Sequence, residues 1–136
     1  MKQQRGSVIL GAGGHAKVVA SLIKLTGNYE LHSLIDVNSE KCSEFYFNVP
    51  IIGRSALDLL IDQRLNFFIA FGSILERKKW WDYLKSRGSE TPNLISPYAI
   101  VDETAHFGDG NIVASRSFVG PNTNIVDNHL LNTGSI

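Results

Sequence analysis

The sequence predicts an α/β chain in which a parallel sheet wrapped by helices is followed by short strands coiled into a parallel β-helix. Three observations carry this. Strand and helix signals alternate over the first part of the chain, a glycine-rich turn joins the first strand to the first helix, and after Pro92 a period of six replaces the helical one. The change of pattern predicts two units, residues 1–91 and 92–136.

In the first unit each element has its own signal. "SVIL" (7–10) is apolar, β-branched and ends at glycine, as a buried strand does. From Gly14 the residues Ala16, Val19, Leu22, Ile23 and Leu25 recur at three and four, one face of a helix that "TGN" (26–28) stops. "YELHSLID" (29–36) reads as a second strand, "VPIIG" (49–53) as a short third, and "SALDLLIDQR" (55–64) as a helix capped by Ser55. "NFFIAFG" (66–72) is a nearly continuous apolar run, expected of a strand covered on both faces. "SILERKKWWDYLKSRG" (73–88) opens on a serine N-cap, has Ile74, Trp81 and Leu84 as apolar positions and ends at glycine. Trp80 and Trp81 are expected to serve as core and packing surface.

Such a sheet takes its ligands beyond the carboxyl ends of its strands. There Gly11, Gly13 and Ala16 spell G-x-G-x-x-A. In that pattern the first glycine permits a tight turn, the second lets backbone approach a phosphate, and the small third residue lets helix and strand pack closely. The N–H groups at the helix start carry about half a positive charge, which stabilises an anion. Asp36 lies twenty residues past Ala16 at the end of the next strand, where a carboxylate can accept hydrogen bonds from a ribose or base. A purely structural turn is the alternative. His15 and Lys17 open the helix and either face water or touch the ligand. Gly72 and Ser73 repeat the strand-glycine-helix arrangement and offer a second set of N–H groups.

In the second unit, hexads counted from Ile95 begin with Ile95, Val101, Phe107, Val113, Val119, Ile125 and Leu131, so seven of seven first places are apolar. The fifth places, Ala99, Ala105, Asn111, Ser117, Thr123, His129 and Ser135, are mostly small. This is a hexapeptide repeat, in which the first residue fills a triangular prism and Gly, Asn and Asp relax the corners. Three hexads make one coil, so seven make two and a third.

Composition narrows the partners. Thirteen basic side chains balance thirteen acidic ones, which leaves no broad footprint for nucleic acid or an anionic membrane. Cys42 is the only cysteine, excluding an internal disulfide and a cysteine-based zinc site within one chain, and it fits a reducing cytoplasm. No metal site is expected. The first apolar run is cut by Gly11, Gly13 and Gly14, too early for a signal peptide, and no segment approaches the roughly 20 apolar residues of a membrane span.

"GAGGHAKVV", "LIDVN", "VPIIG" and "IAFG", followed by "ISPYAIVDETAHFGDGNIV" and "NIVDNHLLNTGSI", resemble the NeuD-like and PglD-like sugar O- and N-acetyltransferases over essentially the whole chain. The resemblance implies a small Rossmann-like domain that holds a UDP- or GDP-linked sugar and an incomplete left-handed parallel β-helix, with acetyl-CoA as acyl donor. It also implies a homotrimer. Gly11, Gly13, Gly14, His15, Lys17 and Asp36 match the family's nucleotide-site pattern, and Asn132 looks like an asparagine lining its acyl-transfer site.

In that family "NTGSI" runs on into a valine, an acid and His-Asp, the histidine being the general base that frees the lone pair of the acceptor amine. It would fall just past Ile136, so no catalytic residue is assigned here and the chain alone is expected to be inactive. His32, His106 and His129 are expected to be structural or exposed. Two other readings remain: an inert nucleotide-sugar-binding or regulatory subunit, and a fragment of an NAD-binding oxidoreductase.

Overall fold

The computed structural model describes residues 5–40 and 43–136; Cys42 and the first four residues lie outside them. The first unit is a five-stranded sheet of order β3-β4-β2-β1-β5, with β1 Gly6–Leu10, β2 Glu30–Asp36, β3 Glu44–Tyr46, β4 Val49–Gly53 and β5 Asn66–Ile69. All neighbours are parallel except β3, which forms a hairpin with β4. β3 is absent from the sequence reading. Its turn is Phe47–Asn48, both at positive φ (51° and 60°), a geometry that usually advertises itself by glycine.

Helices α1 (Gly14–Thr26), α2 (Leu57–Asp62) and α3 (Ile74–Ser86) cover the sheet. Alternate residues of each strand face opposite ways. Ile9, Leu34 and Phe68 therefore pack with Ala16, Val19 and Ile23 of α1, while Val8, Leu10, Ile35 and Phe67 pack with Leu57, Leu60, Trp80 and Leu84 of α2 and α3.

Three expectations are corrected. Leu25 is 44% exposed, because with Val18, seven residues earlier, it lies on the flank of α1 beside the stripe that meets the sheet. Ile74, in the first turn of α3, is 83% exposed and rims a cleft, while Arg77 and Trp80 are buried in its place. Ser55 caps nothing: its hydroxyl donates to the Glu40 carbonyl (2.7 Å), and α2 starts from a 3-10 turn over Arg54–Ala56.

The second unit is built from two-residue strands at six-residue intervals: β6 Leu94–Ile95, β7 Ile100–Val101, β8 His106–Phe107, β9 Ile112–Val113, β10 Phe118–Val119, β11 Asn124–Ile125 and β12 Leu130–Leu131. Each of the first four pairs in parallel with the strand eighteen residues on, giving three faces, β6-β9-β12, β7-β10 and β8-β11. The left-handed parallel β-helix is therefore present in the chain. Val113, Val119 and Ile125 are buried in the prism. The fourth place of the hexad takes left-handed backbone at Gly110, Arg116, Asn122, Asn128 and Gly134. Fifth-place Asn111 is fully buried and continues a ladder: its N–H donates to Asn93 Oδ1 (2.8 Å), and its own Oδ1 accepts from the His129 N–H (2.8 Å).

The two units share a core. Leu94, Ile112 and Ala114 of the prism belong to the same buried cluster as Ala16, Val19 and Ile23 of α1. At a second seam Trp81 of α3 lies over Gly110, whose φ is +69° and whose missing Cβ leaves the space the indole ring fills. Gly110→Ala is accordingly expected to cost about 1–3 kcal/mol, read as a lower urea midpoint. An unchanged midpoint would show that the seam yields freely.

Candidate functional site

The carboxyl ends of β1, β2 and β5 open into a cleft of about 440 Å³ lined by Gly11, Gly13, Gly14, His15, Asp36 and Gly72, with Ala12, Val37, Asn38, Ala70 and Phe71. Its floor is rigid. The Gly11 N–H donates to the Ile35 carbonyl (2.9 Å) and the Ala70 N–H to the Leu10 carbonyl (2.9 Å), tying the three strand ends together. Gly11 has φ +127°, and a Cβ there would come within 2.8 Å of the Ala70 carbonyl oxygen.

Gly13 and Gly14 differ in kind. A Cβ on either would meet nothing within 4 Å, so the protein's own packing does not demand glycine at these positions. Gly13 is the N-cap of α1, no side chain caps the helix and no acid stands in its first turn. Its leading N–H groups are left for an anion to satisfy. The start of α3 is different: Ser73 Oγ accepts from the Glu76 N–H (3.4 Å), and Glu76 itself places a carboxylate in the first turn. Of the two glycine turns, only the first presents an uncapped helix end.

His15 is half-buried, and its Nε2 is enclosed without a hydrogen-bond partner. Burial, and next the charge of Arg77, hold its pKa below the ordinary imidazole value, which favours the neutral ring. Asp36 Oδ1 accepts from the Asn38 N–H (3.0 Å), which orients the carboxylate at the rim. Lys17 does not line the cleft; its ammonium lies over the Tyr46 ring, 5.5 Å from the centroid. Ser73 stands next to Gly72, with its hydroxyl spent on the cap.

A second cleft, about 600 Å³, lies between α3 and the prism and shares Gly72 with the first. Ile74, Arg77 and Trp81 form one wall; Asp127, His129, Leu130 and Asn132 form the other. The Asn132 carbonyl accepts from the hydroxyls of Ser117 (3.0 Å) and Ser135 (2.7 Å), fixing the backbone at that point. His129 is exposed, with Nδ1 3.0 Å from the Asp127 carbonyl; His32 and His106 are exposed and away from both clefts. A further cavity of about 490 Å³, near Arg64 and Arg87, opens at the other end of the sheet, where the strands begin. Among the described residues no cluster suits a metal ion, and no helix is long and apolar enough to cross a membrane.

Sequence reasoning missed Arg77, Trp81's place in a cleft wall, and Asn128. A signal for the first existed: Arg77 precedes Trp80 by three and Leu84 by seven, so a cation sits in the apolar stripe of its helix.

The chain is similar to known sugar N-acetyltransferases. A UDP-N-acetylbacillosamine N-acetyltransferase of Bacillus subtilis (strain 168) is 31% identical over 108 residues, which are 77% of this chain and 49% of that protein. A perosamine N-acetyltransferase from Caulobacter crescentus, solved with CoA and GDP-perosamine, superposes with a TM-score of 0.85 at 30% identity, covering 95% of this chain and 60% of the other. The acetyltransferase domain of PglB from Neisseria gonorrhoeae FA1090, solved with acetyl coenzyme A, gives 0.83 at 28% identity, covering 97% and 63%. The chain thus spans about half the length of the curated relative. The PglD N-terminal domain family matches residues 8–84, from β1 through the greater part of α3. Because that match takes in the uncapped glycine turn, Asp36 and Gly72 together, and the likeness to solved acetyltransferases continues through the prism, the chain belongs to the PglD N-terminal domain family.

Proposed function

We propose that the chain binds a nucleoside-diphosphate-linked amino sugar in the first cleft and presents the sugar toward the second, as the acceptor side of an acetyl transfer from acetyl-CoA. One observation carries this: the α1 N-terminus is uncapped, room stands open at Gly13 and Gly14, and the cleft runs on through Gly72 to Asn132. The N–H groups after Gly13 would take a phosphate and Asp36 the ribose or base. The neutral His15 offers a lone pair rather than a charge. Lys17 and Ser73, already engaged, are left without a direct contact.

In this reading residues 1–91 form the nucleotide unit and 92–136 contribute the acyl side. Acetyl-CoA, as co-substrate, would supply a thioester carbonyl. The second cleft suits that group, with Ile74, Trp81 and Leu130 as apolar wall and the Asn132 amide as a donor. Uridine and guanosine diphosphates both remain in view, because the relatives named above divide between them. An exposed apolar strip on the prism, Tyr98, Ile100 and Phe118, with Phe118 directly paired to Ile100 on the β7-β10 face, is a surface suited to self-association, and a homotrimer is the assembly proposed for it.

Isothermal calorimetry with UDP-N-acetylglucosamine, GDP-mannose and NAD tests the reading. Heat from one nucleotide sugar and none from NAD is expected. Binding of NAD alone would replace it with the dinucleotide reading, although that reading has to explain why residues 94–131 form a prism instead of a substrate domain.

A further inference from the structure

Arg77 is 5% exposed, yet no carboxylate among the described residues pairs with it. Among the described residues the ion pairs are Lys78–Asp82 and Arg87 with Asp58 and Asp62. One Nη of Arg77 donates to the Ile69 carbonyl at the end of β5 (2.8 Å). The other donates to the Asn128 carbonyl (3.3 Å) and to Asn128 Oδ1 (2.9 Å), and Asn128 Nδ2 returns a bond to the Arg77 carbonyl (3.3 Å). Its Nε is buried without a partner.

The bonds to Asn128 explain a latch between α3 and a corner of the prism. They do not explain the charge. A buried guanidinium satisfied only by neutral oxygens carries a desolvation penalty that a carboxylate would offset, and burial pushes its pKa down to about 10. A carboxylate stands next to Asn128 in the chain: Asp127 lines the same cleft, but its Oδ1 accepts from the Asp109 N–H (2.7 Å). Long side chains on a helix run back toward its N-terminus, which here means toward Gly72, where the two clefts meet. His15, on the first cleft, lies close enough to feel the charge.

We propose that Arg77 is an anion-binding residue that supplies the counter-charge for the phosphates of the nucleotide-linked ligand at the junction of the two clefts, while its Nη groups hold Asn128 in place. This rests on the proposed function above. A ligand's phosphates would then be met from two elements: the N–H groups of α1, beside the uncharged His15 ring of the same helix, and the Arg77 guanidinium of α3.

The decisive variant is Asn128→Asp. It keeps Arg77 and the size of its partner, suits a left-handed corner (φ 60°), and places a carboxylate on the guanidinium. With UDP and GDP as calorimetric probes, Asn128→Asp and Arg77→Met are each expected to weaken binding about tenfold or more, and Arg77→Lys, which keeps the charge, less. The His15 pKa, followed by NMR, should rise in the first two, and the salt dependence of binding should shrink. A role confined to latching predicts the opposite pattern: Asn128→Asp then binds within about twofold of wild type. That result overturns the inference whether or not Arg77→Met folds. If the wild type binds neither UDP nor GDP, the nucleotide reading falls first and the inference with it.

Discussion

Truncating Ile112 to alanine is expected to cost about 2–5 kcal/mol of stability. The side chain is 1% exposed, in the middle strand of the β6-β9-β12 face, and belongs to the cluster that joins the prism to α1. Removing it leaves a cavity walled by two units at once, neither of which can close it without moving the other. Ile100 occupies the same place in its hexad but is 65% exposed. There the same truncation should change the intrinsic stability by less than about 0.5 kcal/mol, and any further loss should depend on protein concentration, as expected of a surface used in assembly. Urea melts of both variants at two concentrations check this. Equal, concentration-independent losses would show that the prism does not dock through β9.

The second large effect separates two glycines of one motif. Gly11→Ala forces a Cβ against the Ala70 carbonyl at a φ of +127° that L residues rarely adopt, and hydrogen bonds pin both strand ends. A cost of about 1–3 kcal/mol or more follows, with the shape of the cleft altered as well. Gly13→Ala has an ordinary φ of −87° and open space around the new methyl. It should leave the melting midpoint within about 0.5 kcal/mol of wild type. Yet it should weaken UDP or GDP binding by about tenfold, some 1.4 kcal/mol, because the methyl would occupy the phosphate's approach. Thermal melts and calorimetry on the same two variants read both effects. A Gly13→Ala protein that binds normally would place the phosphates elsewhere.

Much of the fold was legible because its signals are local. The first-place residues from Ile95 to Leu131 define the prism whatever surrounds it, since a period of six is a property of the coil itself. The boundaries of β1, β2, β4, α1 and α3 followed in the same way from glycines, caps and apolar runs. β3 was missed because a three-residue exposed strand needs little pattern, and its turn uses Phe47 and Asn48. Of the residues read as a candidate site, Gly11, Gly13, Gly14, His15, Asp36 and Gly72 line one cleft, and Asn132 lines the next. Lys17 stands at the right spacing but turns to Tyr46.

The sequence alone determined the alternating α/β unit, the six-residue coil, the interior of that coil and the glycine turn that opens α1. Each of these depends on residues that are neighbours along the chain. Only the tertiary structure decided which outer face of the prism is covered: Leu94 and Ile112 are buried against α1, while the equally apolar Ile100 and Phe118 stay exposed. It also decided that Arg77 meets Asn128, 51 residues away, and no acid among the described residues. Burial and charge compensation are sums over everything that folds into contact, and no period within one segment records them.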